Sequence, residues 1–230
     1  MPEKCLSALA IALLIIALPN CESENSKDQQ GFVLEQKTEP APFIGGDRST
    51  IKIKGNKARM DTSGGPTGQT SMIIDAESGE VMMLVHSQKI VVKTSLAKME
   101  EESKAREKWM QESSGLDLAK LGQPVATGRM EKVGDWDAEV YEMDTVVGKL
   151  RAWVAKDFPN GERIGNVMNK VTAATGLGSL DFPGMVVKTE MSSSLLPGGK
   201  SETTLISAAE QSVDPKEFEI PSEYQEIDMK

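Results

Sequence analysis

The sequence predicts a mainly β, α+β domain: one antiparallel sheet accompanied by two helices. Apolar and polar residues alternate with period two in many short runs, turn-forming residues separate those runs, and two stretches have helical composition. The segment QGFVLEQKTE reads as a first strand, followed by a Pro- and Gly-containing connection, EPAPFIGGDRS. In STIKIKGNKARMDT, Ile51 and Ile53 alternate with Lys52 and Lys54, and Gly55-Asn56 supplies the tight turn of a hairpin. QTSMIIDAESGEVMMLVHSQKIVVKTS continues as three more strands, with turns over residues 76–79 and at Ser87-Gln88. A meander follows from that order.

Residues 95–110, SLAKMEEESKAREKWM, lack Gly and Pro and offer Ser95 as an N-cap, which predicts a helix. Leu96, Met99, Ser103, Arg106 and Met110 give it a thin apolar stripe. The helix is expected to rest on the sheet or its rim and to keep a charged face in water; a mobile lid is the alternative. Strands resume at PVATGRMEKV, DAEVYEMDTV and KLRAWVAKDF, with turns at Gly134-Asp135 and Val147-Gly148. ERIGNVMNKVTAATG predicts a second helix ending at Gly176. GMVVKTEMSSS and KSETTLISAAEQ flank Leu-Pro-Gly-Gly as another hairpin, and Phe218, Ile220 and Tyr224 are placed to pin the tail to the body.

The 230 residues carry a net charge of -9 at pH 7, which repels phosphate backbones, and the Lys and Arg residues are interleaved with acids. Nucleic acid is therefore not expected as a partner. Aromatic residues make up 4%, so core volume falls to Val, Ile, Leu and 13 Met. The methionines Met60, Met72, Met82, Met83, Met143, Met185 and Met191 lie on expected strands, either as ordinary core or as the lining of an adaptable apolar cavity.

Residues 1–20 have the layout of a signal peptide: a short polar start, the apolar run LSALAIALLIIAL over residues 6–18, then Pro19-Asn20. That run is shorter than the ~20 residues needed to span a bilayer core. Cys21 follows Leu18-Pro19-Asn20 and is the expected site of lipidation, with residues 21–31 as a polar tether and residues 32–230 as a single domain. The alternative is simple cleavage that leaves a soluble periplasmic or secreted protein. Cys5 precedes the apolar run, so the mature chain keeps Cys21 alone and has neither an internal disulfide nor a thiolate zinc site.

No catalytic machinery is expected. His86 is the only histidine, no G-x-S-x-G elbow accompanies it, and it falls where an exposed, unpaired imidazole is ordinary. Asp75, Glu77 and Glu80 surround one turn and Asp135, Asp137 and Glu139 another; the second group, if it shares a strand face, is suited to calcium. Solvent-facing turns use the same residues, and neither group has EF-hand spacing, so no metal or cofactor is assigned. Gly176-Leu177-Gly178 is too short for a dinucleotide site.

The blocks IKIKGNKARMD, SMIIDAESGEVMMLVHSQKIVVKTS, Leu150-Arg151-Ala152-Trp153-Val154, FPGMVVKTEM and FEIPSEYQEI together resemble an exported bacterial family known as domain of unknown function 4412. Many relatives carry a Cys near Asp137 that this chain lacks, so a thiol role does not transfer. The resemblance implies a fold similar to the periplasmic lipoprotein carriers of the LolA/LolB type: a curved antiparallel sheet, an incomplete barrel, with two covering helices. It also implies an envelope protein, periplasmic or on the outer membrane, that binds a lipid or other apolar ligand. A structural lipoprotein with a solid core and an envelope protein as partner is the competing reading.

Overall fold

The computed structural model describes residues 30–41, 46–63, 68–114, 123–145, 148–174, 182–194 and 196–227. The signal peptide, Cys21, most of the tether and Gly176-Leu177-Gly178 lie outside these residues. In the first half of the chain run β1 (Gln30–Glu39), β2 (Arg48–Lys54), β3 (Lys57–Ser63), β4 (Thr70–Asp75), β5 (Glu80–Val85), β6 (Ile90–Ser95) and α1 (Leu96–Ser114). The second half holds β7 (Val125–Val133), β8 (Trp136–Thr145), β9 (Gly148–Ala155), α2 (Gly161–Ala174), β10 (Met185–Ser192), β11 (Lys200–Ser212) and β12 (Gln225–Ile227). β1 coincides with the expected first strand QGFVLEQKTE, so Gln30 and Gly31 belong to it and the tether is shorter by those two residues.

All twelve strands form one sheet in the order β12-β6-β5-β4-β3-β2-β1-β11-β10-β9-β8-β7. Two meanders, β1 to β6 and β7 to β11, join where β1 pairs antiparallel with β11 from Gln30↔Ser212 to Glu39↔Glu202. The edges β7 and β12 do not pair with each other, so the sheet is open and the barrel incomplete, as expected. β12 lies parallel to β6 through Gln225↔Ile90 and Ile227↔Val92; the sequence signals the tail's anchoring side chains but not this added strand.

Alternate residues of each strand share a face. The inner face carries Phe32, Leu34, Ile51, Ile53, Met72, Ile74, Val140, Trp153 and Val187, all buried, and α2 packs on it through Ile164, Val167 and Val171, one stripe of the helix. Among the described side chains, α1 joins the core through Leu96 and Met99 and leaves Trp109 in solvent, while α2 packs on it with a full stripe. α1 also runs four residues past the expected end; Ser103 is half-buried, and the side chains of Arg106 and Met110 lie outside the described residues. On the outer face, Val213 and Phe218 cover Ile73, Leu84 and Val91, joined by Ile220 and Tyr224.

Gly55 and Gly31 are among the glycines that space or geometry fixes. Gly55 takes φ 57° in the β2–β3 turn, the left-handed conformation a two-residue hairpin requires. Gly31 sits where a Cβ would meet the Ile53 carbonyl oxygen at 2.4 Å and the Val213 side chain at 2.9 Å. Gly31→Ala is expected to cost about 1–3 kcal/mol, because backbone must move to admit the methyl group. A urea melt with an unchanged midpoint would contradict that packing.

Candidate functional site

The inner face of β1 to β6 is organised in lateral rows by the pairing register. Phe32, Ile53, Ala58, Ile74, Val81 and Thr94 face one another across successive strands, nearest the α2 end. The next row is Leu34, Ile51, Met60, Met72, Met83, Val92 and, through the parallel pair, Ile227. The row begins in the core and ends in solvent: Leu34 and Ile51 are 0% exposed and Met72 8%, Met60 and Val92 are half-buried, and Met83 and Ile227 are each 43% exposed. Thr62, Thr70, Val85 and Ile90 form the row beyond, all half-buried. This apolar surface continues the core past α2 and runs into solvent at the β5, β6 and β12 edge.

That arrangement sorts the methionines. Met60, Met72 and Met83 are direct cross-strand neighbours in one row. Met185 belongs to the core, and Met82 packs on the outer face with Ile73 and Leu84. Met143 and Met191 are both paired with Leu150, across β8–β9 and β9–β10, so neither lines the row.

The inner face of the other meander is charged where the first is apolar. Arg151 donates from Nε to Glu142 at 3.0 Å and reaches Glu190 at 3.4 Å; Lys200 meets Glu190 at 2.6 Å, and Lys188 meets Glu202 at 2.9 Å. The Lys200 ammonium is raised above its ordinary pKa, chiefly by its hydrogen bond to Glu190. Beside this belt a cleft of about 420 Å³ opens among Val125, Glu142, Lys149, Arg151, Glu190 and Ser192.

His86 is not an unpaired surface imidazole. It is half-buried, with Nε2 2.6 Å from the Ser71 hydroxyl and Nδ1 2.5 Å from the Tyr224 hydroxyl. Asp61 only accepts, so Ser71 donates to it at 2.5 Å, and Arg59 donates to both Asp61 at 2.7 Å and Ser71 at 3.1 Å. Ser71 Oγ therefore accepts from His86 Nε2–H, and Nδ1 and the Tyr224 hydroxyl share the bond on the other side of the ring. The serine proton is committed to Asp61 and the serine is 3% exposed, so the pair ties the tail to the sheet and lacks the geometry of a nucleophile and its base.

The two carboxylate groups serve turns and ion pairs. Asp75 accepts the N–H groups of Ser78 at 3.2 Å and Glu77 at 2.9 Å. The Ser78 bond is the main reason its pKa lies below the ordinary value. A depressed carboxylate pKa contributes stability above the unfolded-state value, which is lost as pH falls through the folded one. Asp75→Asn is expected to flatten the acid side of the stability–pH curve, read from urea midpoints across the carboxylate range; an unchanged slope would contradict it. Asp135 lies in the β7–β8 turn, and Glu139 is bound to Lys156 at 2.7 Å and Tyr141 at 3.1 Å. Among the described residues no three His, Cys, Asp or Glu side chains converge as metal ligands.

Residues 36–224 match the model of a family described as a domain of unknown function, DUF4412. The chain belongs to this family. No curated protein matches it. Among solved structures, PNGF-II in its C2 crystal form is 11% identical over 87% of this chain and 31% of that one, with a TM-score of 0.44. This DUF4412 chain thus spans about a third of PNGF-II. The LolA superfamily protein NE2245 from Nitrosomonas europaea is 13% identical over 83% of this chain and 89% of that one, with a TM-score of 0.29. Neither likeness assigns a ligand or a reaction to the DUF4412 domain.

Proposed function

We propose that this DUF4412 domain is an exported, lipid-anchored, non-enzymatic envelope protein that holds an apolar ligand, a lipid or its acyl chain, on the inner face of β3 to β6. The observation that carries the reading is the row Met60, Met72, Met83, Val92, Ile227, which extends an apolar core into solvent. Unbranched thioether side chains repack around varied apolar shapes, which suits such a surface to chains of differing length. Export and anchoring rest on the apolar run over residues 6–18 and on Cys21 after Leu18.

Native mass spectrometry of the purified protein tests the ligand. Co-purified lipid is expected on the parent, and Met83→Lys, at a half-exposed position, should remove it while leaving the melt unchanged. A clean apo mass for the parent would overturn the reading. Intact mass of the mature chain should show a lipid on Cys21; an unmodified N-terminus would remove the anchor.

One observation favours the competing reading, an interaction lipoprotein with an envelope protein as partner. Under α2 the layer is filled by Ile164, Val167, Val171 and the strands' own side chains. An apo mass together with a specific partner in pull-downs from envelope extracts would select it.

A further inference from the structure

At the α2 end of the layer, far from the exposed part of the methionine row, a notch of about 120 Å³ lies between the sheet and the loop that enters the helix. We propose that this notch is an aromatic cage for a compact alkylammonium cation. Its walls include Phe32, Trp136 and Phe158, in a chain that has only five Phe, three Trp and two Tyr. Trp136 and Phe158 pack with ring centroids 5.5 Å apart and planes tilted by 37°. Pro159, Ile164, Ala208 and Ala209 add to the apolar lining, and Asn160 and the exposed Glu210 are its polar members.

Register explains how the carboxylate comes to be there. Phe32 and Glu210 are direct partners across β1 and β11, so the acid and the ring share one face of the sheet. Ala208, opposite Leu34, is small enough to leave the space open. The volume is below the ~150 Å³ of a cavity that binds benzene, and it suits a group of about five heavy atoms.

Size and apolar walls fit a neutral branched alkyl group equally well; charge decides between them. Aromatic faces carry negative potential that attracts ammonium groups, most strongly where water is excluded. Glu210 is exposed at the rim and supplies the opposite charge to such a ligand, in a chain of net charge -9. Phe32 already draws a cation: the Arg163 guanidinium lies 5.7 Å from its ring centroid. That arginine is also a like charge near an incoming ammonium, so removing it should tighten binding.

The test is titration of the mature protein with tetramethylammonium and with tert-butanol, its neutral counterpart of equal heavy-atom count, followed by Trp indole resonances. The cation is expected to bind at least about fivefold more tightly than the alcohol. Glu210→Gln, at a surface position, should weaken cation binding several-fold without affecting tert-butanol, and Arg163→Gln should strengthen it. A cation preference below about fivefold, equal affinities included, or no response to either probe up to about 50 mM, would overturn the proposal, since a cation–π site shielded from water discriminates by more than that. Choline and phosphatidylcholine vesicles are titrated in parallel. A Glu210-dependent response to choline identifies a free cation as the source, and one to vesicles alone identifies a lipid headgroup. This site stands independently of the acyl-chain reading: Met83→Lys should leave it unchanged.

Discussion

Trp153→Ala is expected to lower folding stability by about 3–5 kcal/mol, the range for removing a large buried aromatic side chain. Trp153 is 4% exposed and belongs to the inner core at the point where that core meets the charged belt. Its indole N–H donates to Glu131 at 2.8 Å, while the Lys188 ammonium lies 4.7 Å and the Arg151 guanidinium 5.9 Å from the ring centroid. Truncation leaves a cavity against Val140 and removes the surface on which both cations rest. Trp153→Phe keeps an aromatic ring and forfeits the indole bond and some volume, so its cost should be about 1–2 kcal/mol. Urea melts of the three proteins measure both steps. An alanine variant within 1 kcal/mol of the parent would mean that this half of the sheet does not depend on the ring.

Much of this architecture is legible in the chain because local chemistry fixes it. Ile51-Lys52-Ile53-Lys54 followed by Gly55-Asn56 sets a face and a turn together, and the observed hairpin pairs Ile53 with Ala58 as that turn dictates. α2 is equally readable, since Ile164, Val167 and Val171 recur on one stripe. Long-range facts behave differently. Nothing near His86 announces Tyr224, 138 residues away, and composition around it suggests only an exposed turn. β12 is likewise invisible: three residues carry too little alternation to mark a strand, and its place beside β6 is fixed by Phe218 and Tyr224 docking on the outer face.

The candidate site is legible in kind and not in place. Methionine-rich strands announce an adaptable apolar surface, but strand alternation alone leaves Met82 and Met83 as equal candidates. Pairing decides between them: Met83 opposes Met72 on the inner face, whereas Met82 opposes Ile73 on the outer. The aromatic notch demands more still, because Phe32, Trp136 and Phe158 are brought together only when the second meander closes against β1 through β11.

The second large effect is expected from Arg59→Met, a loss of about 3 kcal/mol. The Arg59 side chain is 14% exposed and Asp61 beside it 17%, so both charges are mostly withdrawn from water. The guanidinium donates to Asp61, to the Ser71 hydroxyl and, at 2.7 Å, to the Glu217 carbonyl of the tail. Methionine preserves length and apolar packing but leaves the Asp61 carboxylate with the Ser71 proton and a Lys52 ammonium 3.9 Å away. Removing one member of a buried pair costs more than the pair contributes, because the remaining charge stays desolvated. The loss should also reach the tail, since the Glu217 carbonyl is freed and the Ser71–His86–Tyr224 chain loses the donor that orients it. Tyr224→Phe is the milder control, expected to cost about 1 kcal/mol for a single hydrogen bond. Hydrogen exchange over residues 213–227 should quicken strongly in Arg59→Met and slightly in Tyr224→Phe. If the arginine variant is no worse than the tyrosine one, the cluster is held by apolar contacts of Phe218 and Val213 alone, and the polar chain orders nothing.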